Sequence, residues 1–217
     1  MFRFQGGRKT SFAVGHMALG YLLAKISGKL FKVDFNIPIV LVLSVLPDID
    51  IIIGFLLNTN IHRGPTHSIV AATLVFIPFF VLYRQRAVPY FAGLASHSLI
   101  GDIIGGQAQL LWPLSTSEFG LSQLGFPYIP IESPINVALE FTLFSIALIV
   151  MLKTRDILQF FRNNKLNLIL VIPIFTVLLP TFASYPLYVP FLLVLPHLFY
   201  LVLFSISVLV VLRQFFK

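Results

Sequence analysis

The sequence predicts an all-α polytopic bundle of membrane-spanning helices. Of its 217 residues, 58% are hydrophobic and only 11% charged, against about 45–50% and about 25% in a soluble domain. Mean hydropathy is +0.94. The apolar runs are continuous, whereas a membrane β-barrel alternates over ten-residue segments. Ordinary soluble folds and intrinsic disorder are therefore excluded. There is no cysteine, so disulfides and thiolate metal sites are excluded too. The net charge of +7 reads as cytoplasmic loop charge in so apolar a chain, and no nucleic-acid partner is expected. With no repeat, low-complexity segment or Pro/Ser-rich linker, residues 1–217 read as one integral-membrane domain.

About 20 apolar residues cross a bilayer as a helix. Seven spans are expected, at roughly 12–30, 36–57, 67–83, 87–104, 134–152, 166–183 and 188–212. The first carries Lys25 and Lys29, which would snorkel to the interface. The alternative count is six spans plus an interfacial first helix. Pro47 interrupts the second run, because proline lacks the backbone donor of a continuous helix. Gly64-Pro65 precedes the third, and Thr66 or Ser68 is expected to cap its start. Arg84 and Arg86 mark the turn to the fourth. The long loop 105–133 carries no basic residue, and neither does the connection 184–187. Lys25, Lys29 and Lys32, the Arg84/Arg86 turn, Lys153, Arg155, Arg162 and Lys165, and finally Arg213 and Lys217 then fall on one side. They make up 11 of the 15 basic residues. The positive-inside rule makes that side, and the C-terminus, cytoplasmic in the cell (inner or plasma) membrane. Arg3, Arg8 and Lys9 argue against the outward N-terminus that seven spans require.

A charge at the bilayer centre costs about 2.5–3.5 kcal/mol on insertion scales. The polar residues that accept this cost are His16, Asp48, Asp50, His97, Asp102 and Glu140. The string His62-Arg63-Gly64-Pro65-Thr66-His67-Ser68 joins them. On the seven-span arrangement all fall toward one leaflet, the outer one. The bland reading of each is a helix–helix hydrogen bond, but convergence on one leaflet favours a single polar site. Histidine with aspartate and no cysteine suits a divalent metal such as zinc, manganese or iron, whereas calcium or magnesium alone favours all-oxygen ligands. Several carboxylates would hold one or two ions, as in many phosphoester hydrolases. Asp48 and Asp50 would not share a helix face, so a break at Pro47 is needed to aim both into one cavity. Arg63 and the N–H groups of a helix starting near Ser68 would favour an oxyanion such as phosphate. Trp112, Pro113 and Tyr128 read as an interfacial belt. His197, with no acidic neighbour in sequence, reads as structural.

Five strings together resemble the membrane-bound metal-dependent hydrolase family, the YdjM-like inner-membrane proteins. They are Gly15-His16, Leu46-Pro47-Asp48-Ile49-Asp50, His62-Arg63-Gly64-Pro65-Thr66-His67-Ser68, Ser96-His97 through Asp102, and Leu111-Trp112-Pro113. They cover roughly residues 15–113, in matching order and spacing, and Glu140 also fits the pattern. The resemblance implies a multi-span helical protein with a metal-dependent hydrolase site, distantly like the helical zinc phospholipase C fold. Fold analogy shifts the expectation without fixing a substrate. One departure stands out. Relatives place the aspartate four residues after the histidine, whereas His97 and Asp102 are five apart. A π-bulge near Gly101, or a helix ending at Gly101, would bring them together; otherwise Asp102 would hold a ligand histidine in place.

The expected function is a membrane-embedded metal-dependent hydrolase, most simply a phosphoesterase acting by metal-activated water on a lipid or lipid-linked substrate. Its metal ligands would be His16, Asp48, Asp50, His67, His97 and Asp102, with zinc or manganese favoured. Arg63, His62 and Glu140 would be catalytic. The rival classes are a metal-ion or proton transporter, which would need polar residues across the whole bilayer, and a structural membrane protein with a vestigial metal site.

Overall fold

The computed structural model describes residues 12–59, 61–127, 129–182 and 188–214. Arg3, Arg8, Lys9, Tyr128, the connection 184–187 and Lys217 lie outside these residues. The regular structure of the described chain is helical apart from two short strands, Gln107–Ala108 and Phe119–Gly120, paired antiparallel with Gln107 opposite Gly120.

Helix α1, Ala13–Phe31, runs through the middle of the bundle and is buried along most of its length. Its small residues let other helices approach. A Cβ at Gly20 would lie 2.4 Å from Ser44 Cβ, so only glycine fits there. Lys25 does not simply snorkel: its Nζ lies 2.6 Å from Asp156 Oδ2, which also accepts from the Tyr21 hydroxyl at 2.7 Å. The next two helices, α2 (Ile37–Leu43) and α3 (Ile49–Leu57), are joined by the tight turn Leu46–Asp48 and bent by 49°. Pro47 stands at that break, where it leaves no helical hydrogen bond unmade.

Helix α4, Ile69–Tyr83, reverses at Arg84 (φ 50°) into α5, Val88–Ser96. The rings of Phe76 and Phe80 lie 5.4 and 5.3 Å from that of Phe91, so the two arms pack as a hairpin. Beyond α5 the chain continues as a π turn, His97–Asp102. Three further helices follow: α6 (Pro134–Lys153), α7 (Lys165–Phe182) and α8 (Phe191–Leu212). Val14, Met17 and Tyr21 of α1 pack with Leu41, Phe144, Tyr200 and Phe204 in the main apolar core. Lipid tails are as apolar as leucine, so close packing and buried polar bonds hold such a bundle together. Asn167 Nδ2 supplies one, donating to Ser207 Oγ at 2.9 Å between α7 and α8. Such interhelical bonds contribute about 0.6 kcal/mol on average.

Seven spans were expected, and length with apolar composition sustains four: Ile69–Asp102, Pro134–Lys153, Lys165–Phe182 and Phe191–Leu212. The bent pair of α2 with Leu46–Leu57 makes a fifth. The difference has two physical causes. Two lysines keep α1 below the apolar threshold, and protein rather than lipid covers most of it. Moreover, α4 and α5 form one helical stretch folded back on itself. The 15-residue α4 is about 22 Å long, short of the roughly 30 Å hydrocarbon core. Its outward side chains, including Leu74, Val75, Phe79, Val81 and Leu82, are exposed and apolar, as a lipid-facing helix requires.

Candidate metal centre

Four segments converge near the N-terminal end of α1. This end of α1 brings His16. The turn after α2 brings Asp48, and the first turn of α3 brings Asp50. The loop before α4 brings His62, Arg63 and His67, and the π turn brings His97 and Asp102. All eight side chains are buried, His67 and His97 completely.

Ligand atoms of Asp48, Asp50, His62 and His67 lie within 4.8 Å of one another; so do those of His16, Asp48 and His97, and those of His67, His97 and Asp102. Shared members make these groups one cluster. At its centre, His67 Nε2 and His97 Nε2 are 3.1 Å apart. Asp48 Oδ1 lies 3.5 and 3.4 Å from those two nitrogens. Asp102 Oδ2 lies 3.6 Å from each of them. Two ligand atoms each about 2.0–2.1 Å from one tetrahedral ion are about 3.3–3.4 Å apart, so these separations suit a shared cation.

The far sides of the rings fix the protons. His97 Nδ1 donates to the Ser44 carbonyl at 2.8 Å. His67 Nδ1 faces Asp50 Oδ2 at 3.2 Å. A neutral imidazole held this way at Nδ1 points its Nε2 lone pair into the cluster, as metal-ligating imidazoles do. Facing lone pairs repel unless a cation lies between them. Asp102 Oδ2 is buried with no hydrogen-bond partner among the described residues, a costly state for a carboxylate oxygen. The carboxylates of Asp48, Asp50 and Asp102 are opposed by one guanidinium, that of Arg63. With neutral histidines, two negative charges remain, and a divalent cation matches them. The donor set fits a metal.

Asp48 and Asp50 divide their tasks. Asp48 sits on the tight turn and faces both Nε2 atoms. Asp50 accepts from Thr66 Oγ1 at 2.6 Å on one oxygen and meets His62 Nδ1 at 2.8 Å on the other. Both its oxygens thus already serve to orient the loop histidines. His16 stacks on His97 with centroids 3.9 Å apart and planes at 18°. Gly101 lies directly over the His16 ring, where a Cβ would come within 2.2 Å of Cε1. Gly101→Ala is expected to shift His16, destabilise the protein by about 1–3 kcal/mol through overpacking, and weaken metal binding; thermal unfolding and metal titration in detergent would measure both.

The five-residue spacing of His97 and Asp102 is met by the π turn, whose i→i+5 bond adds one residue to a helical turn. Other expected roles change. Arg63 is only 1% exposed and its Nη2 lies 3.1 Å from Asp102 Oδ1, so it is first an ion-pair partner inside the protein. The expected anion site at the start of α4 is corrected. The Ile69 N–H donates to Leu110 O at 3.0 Å and the Ala71 N–H to the Ser68 Oγ cap at 3.1 Å, so these donors are already engaged. Glu140 is not in any of the three ligand groups. It accepts from the backbone N–H groups of Phe12 and Gly15 at 3.2 and 3.3 Å, at the foot of α1. There it caps the first N–H groups of the helix, which lack the i−4 carbonyl partner of later turns. His197 Nδ1 donates to Leu193 O at 2.8 Å, one turn back on α8.

A family model described as YdjM inner membrane protein matches residues 12–187. The chain belongs to the YdjM inner membrane protein family. The matched stretch holds the whole cluster from His16 to Asp102, and Glu140 with it. No curated protein and no solved structure matches. In this YdjM protein two contributors carried no sequence signal as site residues. The Ser44 carbonyl is a backbone atom brought in by a bend, and Gly106 leaves room for Arg63, whose Nη1 would lie 1.7 Å from a Cβ there.

Proposed function

We propose that this YdjM-family protein is a membrane-embedded metal-dependent hydrolase that cleaves phosphoesters of a lipid or lipid-linked substrate. The observation that supports this best is the approach of His67 and His97 Nε2 to the Asp48 and Asp102 oxygens at 3.1–3.6 Å. His16, Asp48, His67, His97 and Asp102 hold one or two divalent ions, zinc or manganese by their mixed imidazole and carboxylate character. Bound there, the metal would supply an activated water and polarise the phosphoryl oxygen.

The chain's own residues do the rest. Asp50 orients His67 and His62 from behind. His62, held through Nδ1, holds or moves a proton at Nε2. Arg63 fixes Asp102 and directs Nε, which has no acceptor among the described residues, toward a phosphoryl oxygen. Glu140 positions His16 by tying down the first turn of α1. The proposed topology has seven crossings: α1, the bent α2–α3 pair, each arm of the α4–α5 hairpin, and α6, α7 and α8. The reversal at Arg84 supports counting the hairpin twice, with the bilayer thinned locally to match the short α4 arm. The metal centre then lies toward the outer leaflet, with the basic clusters and the C-terminus cytoplasmic.

Purified protein loaded with zinc or manganese is expected to release phosphate from phosphatidic acid or a lipid pyrophosphate. Chelation and His97→Ala should abolish the release. No release across a broad panel of lipid phosphates, with metal demonstrably bound, would overturn the hydrolase reading and favour an ion pathway or a structural site.

A further inference from the structure

The far end of α1 holds a second polar feature, about 20 Å along the helix from His16 at 1.5 Å per residue. A cleft of about 820 Å³ opens there between the C-terminal turns of α1, the start of α2 and the connection 156–164. Lys29, Lys32 and Arg162 line it with exposed side chains. Of its two acids, Asp156 is already engaged by Lys25 and Tyr21 at 2.6 and 2.7 Å, leaving Asp34 to face three cations.

The neutral residues of the cleft are biased the same way. Asn36 Oδ1 accepts the Ile39 N–H at 3.0 Å, Gln159 Oε1 accepts the Ile37 N–H at 3.0 Å, and Asn164 Oδ1 accepts the Leu166 N–H at 3.1 Å. A backbone N–H can only meet the amide oxygen, so each side-chain orientation is fixed. Three NH₂ groups are therefore left as donors. The Tyr90 hydroxyl accepts the Asn36 N–H at 2.9 Å, which leaves its own proton to donate. With these amide oxygens and Asp156 engaged internally, the cleft presents ammonium, guanidinium, amide and hydroxyl donors beside the single carboxylate of Asp34.

We infer that this cleft binds a phosphate-bearing anion, separately from the metal centre. Arg162 takes phosphate oxygens in the bidentate manner of guanidinium, Lys29 and Lys32 add point charges, and Gln159 and Asn164 complete the donor shell. The ligand is either the headgroup of an anionic phospholipid in the leaflet that carries the basic clusters or a free phosphate compound. The inference does not depend on the hydrolase reading, because its readout is binding.

The test uses the full-length protein in nanodiscs. One set is pure phosphatidylcholine, titrated with inorganic phosphate; the other contains increasing phosphatidylglycerol. Thermal unfolding is followed in each. A rise in midpoint with inorganic phosphate supports a free-phosphate site, and a rise with phosphatidylglycerol alone supports a headgroup site. Lys29→Gln/Arg162→Gln is expected to lose the response at least tenfold in midpoint concentration, while Arg84→Gln/Arg86→Gln, which removes the same charge elsewhere, keeps it. No response to either anion, or equal loss in both double variants, would overturn the proposal. Metal content, measured in parallel, should stay unchanged in both.

Discussion

Protein carrying Asp48→Ala together with His67→Ala is expected to lose its bound transition metal, as read by elemental analysis after purification. Each of these residues belongs to two of the three ligand groups. Together they remove one imidazole nitrogen and one carboxylate oxygen from the centre of the cluster. Each of the three groups is then cut to two ligand residues, fewer than the three or four that a zinc site requires. His197→Ala is the control: it removes a buried histidine that lies outside the three ligand groups and donates to Leu193 O on its own helix, and it should retain the metal. Full retention by the double variant would sink the ligand assignment. Asp50→Asn should fall between, weakening metal binding about 10–100-fold, as loss of an orienting carboxylate does.

Arg63→Met is expected to be the most destabilising single change in the site, by about 3–5 kcal/mol, the usual result of removing one partner of a buried ion pair. Asp102 would keep a buried charge with no guanidinium beside it. The cost should shrink substantially in Arg63→Met/Asp102→Leu, where no charge is left stranded. Unfolding in detergent, arranged as a double-mutant cycle, measures the coupling. An Arg63 that served only a passing substrate anion would show no such coupling: both single variants would then keep wild-type stability.

The membrane class was legible from composition alone, and the site residues were legible because each is a polar exception in apolar surroundings. His16, Asp48, His67, His97 and Asp102 come from four separate segments, yet the structure gathers them. What the sequence could not convey depends on three-dimensional bends. Asp48 and Asp50 look equivalent in the string, yet both follow the 49° break, and their places on the tight turn and in the first turn of α3 aim one toward the Nε2 pair and the other toward Thr66 and His62. Arg63 looked like an anion binder, because its partner Asp102 lies 39 residues away and nothing local announces the pair. Glu140 stood out because burying an acid is costly, but its partners, the backbone N–H groups of Phe12 and Gly15, lie 128 and 125 residues away and only the fold brings them together. The span count was hardest, since hydropathy cannot distinguish a lysine that snorkels from Lys25, which is paired internally with Asp156.

The π turn at His97–Asp102 bears on how this site tolerates changes in chain length. An extra residue inside a regular helix would rotate everything after it by about 100°, carrying Asp102 off the face that His97 presents. Absorbed as a single widened turn, the same residue leaves the aspartate facing the histidine and the downstream loop in phase. A site spaced by five residues and a site spaced by four can therefore present the same two side chains in the same relative direction. Insertion and deletion here are conservative events, and a search for similar centres has to allow both lengths.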